Sequence, residues 1–98
     1  MSEKSLEETI LERLRSVIDP ETQTDVVRMR LVENLWVDVL GKVRYTFRPS
    51  SFLCPIAVSL ASDIKKAVAE VPGVRSQEIA VEGYLAAADL EKLINQET

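Results

Sequence analysis

The sequence predicts an α+β fold: a two-layer α/β sandwich of order α-β-β-α-β plus a C-terminal helix, its small sheet covered on one face by helices. Three observations predict it. The hydrophobic period is helical from Leu6 to Ile18, drops to alternation between Leu31 and Arg48, and becomes helical again from Ile56. Gly41 separates two alternating runs at hairpin spacing. A third alternating run around Ile79 and Val81 follows the second helix, so a helical crossover returns the chain to the same sheet.

Ser5 and Glu8 form a candidate capping box, after which Leu6, Ile10, Leu11, Leu14, Val17 and Ile18 recur on one helical face. Pro20 disfavours a helical residue before it, so this helix is expected to stop at Ile18 or Asp19. The stretch from Asp19 to Asp25 has turn composition, carries three carboxylates and reads as a surface loop.

In the first alternating run Leu31, Leu35, Val37 and Val39 share one face, and Asn34, Trp36 and Asp38 the other. In the second, Val43, Tyr45 and Phe47 oppose Arg44, Thr46 and Arg48. Pairing the apolar faces requires an odd loop, read as Leu40-Gly41-Lys42 with Gly41 left-handed. That register sets Asp38 opposite Arg44 and Trp36 opposite Thr46, while Glu33 falls out of pattern on the apolar face. The second helix carries Ile56, Leu60, Ile64, Ala67, Val68 and Val71 as its apolar stripe and ends at Pro72-Gly73. A last helix is expected between Leu85 and Asn95, with Leu90, Leu93 and Ile94 at helical spacing. Helices on one side leave Trp36, Thr46, Arg44 and Arg48 on the other. Trp36 is therefore the candidate contact for a homodimer or a partner, or else a lid over aliphatic side-chain stems.

Ninety-eight residues, 46% hydrophobic and 29% charged, fit a single ordered domain over 1–98. The core is expected at about 6–82, with a helical extension at 85–96. A net charge of −4 argues against a nucleic-acid binder. A helix-strand-strand-helix-strand order also occurs in RNA-binding KH folds, but the Gly-x-x-Gly clamp is missing. No stretch reads as a membrane span or a secretory signal. One cysteine cannot form an internal disulfide, which favours a reducing, cytoplasmic address. With no histidine, the usual neutral-pH base and the commonest nitrogen ligand for zinc or iron are absent.

That cysteine, Cys54, precedes Pro55 at the strand-to-helix junction. A proline in the first helical turn places the thiol at or beside the N-cap, where unpaired N–H groups and the positive helix end favour a thiolate. The competing reading is a small buried hydrophobe. Ser50 and Ser51 can satisfy backbone groups ahead of the helix, and Asp19, Glu21 and Asp25 can be a solvated turn.

The segments VIDPET (Val17 to Thr22), DVVRMRLVENLWV (Asp25 to Val37), SSFLCPIA (Ser50 to Ala57) and VPGV (Val71 to Val74) occur in an order that resembles a known family. These are the small iron-sulfur cluster assembly domains of the SufT and PaaD type, also called domain of unknown function fifty-nine. The resemblance covers roughly Leu6 to Glu82. It implies that Asp19, Pro20 and Glu21, Ser50 and Ser51, and Cys54 with Pro55 are the functional signature, with Cys54, Asp19 and Glu21 as candidate ligands of cluster or metal. Two departures stand out: Arg28-Met29-Arg30-Leu31 replaces an Asp-Leu-Gly-Leu type sequence, and Phe52 stands where proline is common.

The function so implied is non-catalytic: assembly or transfer of iron-sulfur clusters, or maturation of iron-sulfur proteins. The cargo is a transient iron ion or cluster, and the partners are assembly proteins or recipient apoproteins. A cluster needs about four protein ligands, mostly thiolates, so a chain with one cysteine must share the site with another subunit or a partner. The alternative is a protein-interaction adaptor in a multicomponent oxygenase or assembly complex, with a structural Cys54. A thiol enzyme is the third class, and it lacks a histidine base and a resolving cysteine.

Overall fold

The computed structural model describes residues 5–20, 22–49 and 56–96. Its elements are α1 (Leu6–Leu14), β1 (Ile18–Asp19), β2 (Thr24–Asp25), β3 (Val32–Val37), β4 (Lys42–Phe47), α2 (Ala57–Ala69), β5 (Ser76–Val81) and α3 (Ala87–Asn95). The expected order is present, with the small β1–β2 hairpin inserted after the first helix. In the main sheet β4 is central, antiparallel to β3 and parallel to β5. Parallel pairing obliges α2 to carry the chain from the far end of β4 back to the start of β5. Ile10 and Leu14 of α1, Leu60, Ile64 and Val68 of α2, and Val43, Phe47 and Ile79 of the sheet meet in one core. Burying a side chain of this size stabilises by about 1.5–3 kcal/mol.

The first helix starts as expected: the Ser5 hydroxyl accepts the Glu8 N–H at 3.2 Å. It stops earlier, at Leu14. Ser16 turns its hydroxyl back onto the Arg13 carbonyl at 2.6 Å, and Val17 N–H closes on the Leu14 carbonyl, which tightens the last turn. The β-branched pair Val17-Ile18 then goes extended, and Ile18 pairs with Asp25.

The hairpin register differs from the expected one for two reasons. Asp38 is a turn anchor: its Oδ1 accepts the N–H groups of Leu40 and Lys42 at 2.8 and 2.9 Å. The three-residue connection is consequently Val39-Leu40-Gly41, and Val39 stands in solvent with Leu40 rather than on the apolar face expected for it. Gly41 has φ +88°, and a Cβ there would collide with the Gly73 carbonyl oxygen, so this turn accepts only glycine. The second reason is a bulge between Glu33 and Trp36, where Asn34 takes φ +57°. The extra residue lets Val32, Leu35 and Val37 all pack against the core and moves Glu33 to the outer face opposite Thr46. Trp36 lies opposite Arg44, not Thr46. The out-of-pattern glutamate was the trace of the bulge.

The α2 stripe packs as expected, and β5 points Gln77, Ile79 and Val81 inward. Tyr45 donates its hydroxyl to Gln77 Oε1 at 2.8 Å, and Gln77 Nε2 donates to the Lys65 carbonyl at 2.9 Å, joining β4, β5 and α2 through buried polar atoms. In α3, Leu90 and Ile94 are buried, and Leu93 is 52% exposed.

Candidate functional site

The acidic turn is not the solvated loop its composition suggests. Pro20, Thr22 and Gln23 are exposed, but pairing of Ile18 with Asp25 and of Asp19 with Thr24 turns the segment into a strand pair with two faces. Alternation puts Ile18 outside, 48% exposed, and Asp19 inside at 0%. A fully buried carboxylate is uncommon and costly unless its neighbours compensate it, so Asp19 is placed by the fold rather than tolerated at its surface. The turn is closed by Gln23 N–H on the Asp19 carbonyl at 2.7 Å, with Gln23 at φ +57°. Asp25 is half-buried, its Oδ1 accepting the Arg28 N–H at 2.8 Å. Thr22 points its hydroxyl at Met29 Sδ, 3.0 Å away.

Backbone bonds tie this hairpin to one end of the main sheet. Val26 N–H donates to the Val17 carbonyl, Leu31 N–H to the Val26 carbonyl, both at 3.0 Å, and Arg48 N–H to the Leu31 carbonyl at 2.7 Å. Arg48 directly follows β4, and Pro49 after it is buried. The chain therefore leaves for segment 50–55 beside the acidic hairpin, and α2 starts from that same end of the sheet. Cys54, Ser50, Ser51, Pro55 and Glu21 lie outside the described residues. The helix itself begins later than expected. Ile56 is its N-cap, with non-helical φ −106° and ψ 12° and no side-chain cap, and the first ladder bond runs from Leu60 N–H to the Ile56 carbonyl. Cys54 is thus two positions before the N-cap in the chain, and Pro55 one position before it.

Arg30 stands in the Arg28-Met29-Arg30-Leu31 stretch at the place of the glycine in the Asp-Leu-Gly-Leu type sequence. Arg30 has φ +59°, the left-handed region that glycine occupies freely. It lies in the turn that Met29 N–H to Asp25 carbonyl and Arg30 N–H to Val27 carbonyl bonds define, immediately before Leu31 joins β4. A left-handed conformation at a non-glycine residue carries a steric cost.

The outer sheet face carries the arginines expected there, in pairs. Glu78 lies 3.4 Å from both Lys42 and Arg44, and Arg48 bridges Glu33 at 3.5 Å and Glu82 at 3.0 Å. Arg44 stacks over the Trp36 ring at 5.3 Å, and Trp36 remains 49% exposed. Thr46, expected on this exposed face, is buried beneath Asn34, whose Nδ2 lies 3.5 Å from its Oγ1. Among the described residues, no three Cys, His, Asp or Glu side chains converge on a point where a metal could sit. Any set of ligands drawn from the hairpin has to be completed from outside it.

The acidic hairpin is thus bonded to the end of the strand from which the chain runs on toward Cys54. The chain belongs to the iron-sulfur cluster assembly protein family, whose profile matches residues 7–81. It is similar to the Fe-S protein maturation auxiliary factor YitW of Bacillus subtilis, with 34% identity over 81% of this chain and 78% of that protein. It is also similar to an iron-sulfur cluster carrier protein of Mycobacterium leprae, with 27% identity over 79% of this chain but only 20% of that longer protein. Among solved structures, a domain of unknown function fifty-nine from Bacillus anthracis superposes with a TM-score of 0.72 at 28% identity, covering 91% of this chain and 87% of that one. The resemblance in the sequence segments is thereby confirmed at the level of family and fold.

Proposed function

We propose that this chain is a non-catalytic factor in iron-sulfur cluster assembly, transfer or the maturation of iron-sulfur proteins, acting through Cys54. The family match over 7–81 carries this reading, and the backbone ties between the acidic hairpin and the exit of β4 support it. With one cysteine and no histidine, a chain supplies a single strong ligand where a cluster needs about four. The cargo is therefore transient, bridging two chains or a chain and its recipient, and incomplete ligation is what makes it easy to hand on. Asp19 and Glu21 act as oxygen ligands or set the local field, with Pro20, Ser50, Ser51 and Pro55 as supporting loop residues.

The partners are iron-sulfur assembly proteins and recipient apoproteins. The carrier protein of Mycobacterium leprae, which contains a stretch like this chain within a longer polypeptide, supports work beside a cluster carrier. The half-exposed Trp36 is the surface for a homodimer or such a partner. A thiol that must stay reduced suits the cytoplasm, and among the described residues no helix is long and apolar enough to cross a membrane.

Anaerobic reconstitution with iron and sulfide, followed by absorbance and metal analysis and by transfer to an apoprotein, tests the reading. Wild type should acquire and release cluster and Cys54→Ala should not. Equal behaviour of the two proteins would remove Cys54 from the site, and failure of both to bind or stimulate transfer would leave an adaptor with a structural cysteine.

A further inference from the structure

The helix layer has an open groove on its outer side. It encloses about 420 Å³ between α2 and α3 and is lined by Val58, Ser62, Lys66 and Ala69 on one wall and Leu93 on the other. The α2 residues recur at helical spacing, so they form one stripe from the first turn of that helix to its last. Val58 and Leu93 are 49% and 52% exposed and line the same groove, an arrangement that leaves apolar surface in water for no gain within the chain. Lys65 also lines the groove, its Nζ donating to the Ile94 carbonyl. Lys66 has no ion pair among the described residues. Among the described residues, two cations and no carboxylate therefore line an apolar cleft on a chain whose net charge is −4.

We propose that this groove docks a short segment of a protein partner, one that presents an apolar side chain to Val58 and Leu93 and a carboxylate to Lys66. The volume suits side chains of a peptide, and a concave cleft does not match a flat bilayer. Charge complementarity decides against a basic segment. Val58 follows Cys54 by four positions in the chain, so the groove begins in the first turn of the helix that comes after the cysteine segment. The proposal rests on the cluster-handling reading in one respect: the segment belongs to a protein that supplies or receives cluster.

The test begins with a phage-displayed library of random twelve-residue peptides selected on the full chain, with Val58→Glu as counter-selection. The expected consensus combines an apolar residue with Asp or Glu. Its synthetic peptide should shift the amide resonances of Val58, Ser62, Lys66 and Leu93, and should bind Val58→Glu about tenfold more weakly or worse. Lys66→Glu should weaken it about fivefold, with recovery when the peptide carboxylate is changed to lysine. No enriched peptide, a basic consensus, or binding indifferent to Val58 would overturn the proposal. So would Val58-dependent self-association in sedimentation, or Val58-dependent binding to phosphatidylglycerol vesicles. Cys54→Ser should bind the same peptide with unchanged affinity while failing to take up cluster. If peptide binding survives and wild type takes up no cluster, it is the cluster reading that fails and not the groove.

Discussion

Asn95, the last residue of α3, pairs with Ile79 as a neighbouring strand would. Its Oδ1 accepts the Ile79 N–H at 3.0 Å and its Nδ2 donates to the Ile79 carbonyl at 2.9 Å. One amide side chain thus satisfies Ile79 at the middle of the free edge of β5, where unpaired backbone would otherwise be offered to other chains. The C-terminal helix is a structural cap on the sheet. Asn95→Ala should lower unfolding free energy by about 2 kcal/mol, since it leaves a buried donor and acceptor without their partner. It should also make the protein associate at concentrations where wild type does not. Urea titration and sedimentation check the two effects, and an unchanged midpoint would assign α3's role to its apolar contacts alone.

Arg30 makes a prediction of opposite sign. A non-glycine residue at φ +59° carries a left-handed penalty of about 1–2 kcal/mol, and glycine would give back part of the gain through its unfolded-state entropy. Arg30→Gly should therefore stabilise the fold by about 0.5–1 kcal/mol. Arg30→Val should destabilise it, because branching at Cβ sharpens the clash. Two losses would show that the Arg30 side chain itself holds the turn.

Tyr45 sets an alkaline limit. Burial pushes its hydroxyl well above the ordinary value of 10.0. Because the folded value is the raised one, the Tyr45 contribution is fully present below pH 10 and is lost as pH climbs above it. Tyr45→Phe removes that loss and also strips Gln77 Oε1 of its donor, which should cost about 1–2 kcal/mol at neutral pH. The stability gap between wild type and variant should stay constant up to about pH 10 and narrow beyond it. A gap independent of pH would mean that Tyr45 ionises as freely folded as unfolded.

Periodicity carried most of the architecture. Alternation and helical spacing gave the sheet, the crossover and the inward faces of α2 and β5, because each is set by which residues must leave water. The failures fall where a single polar side chain redirected the backbone. Ser16 ended α1 early, Asp38 drew the turn one residue back, and Asn34 absorbed an extra residue in β3. None of these has a period, although Glu33 on the wrong face marked the last of them. Burial of Asp19 was illegible for a related reason: composition says turn, and only the pairing of Ile18 with Asp25 assigns the carboxylate to the inside. For the candidate site, sequence resemblance pointed to the acidic turn and the cysteine segment, and the bonds from Val17 through Val26 and Leu31 to Arg48 tie the first of these to the end of β4.

Burial of Asp19 makes it and Glu21 separable in a test of whether the hairpin and Cys54 form one site. On the proposal that they do, a carboxylate near the thiol either shares a metal with the thiolate or repels it, and the apo and iron-loaded proteins report these separately. In the apo protein, Asp19→Asn should accelerate alkylation of Cys54 several-fold at neutral pH, since removing a nearby negative charge raises the thiolate fraction. Glu21→Gln should act in the same direction. In the iron-loaded protein, the substitution that removes a ligand should weaken iron binding by at least tenfold, and the other should leave it nearly unchanged. Near-ultraviolet circular dichroism separates these effects from loss of the hairpin, because Asn keeps the shape of the buried Asp19 side chain but not its charge. If both variants stay folded with unaltered thiol reactivity and iron affinity, while Cys54→Ala abolishes maturation of a recipient, Asp19 is a structural carboxylate and the site contracts to the cysteine segment.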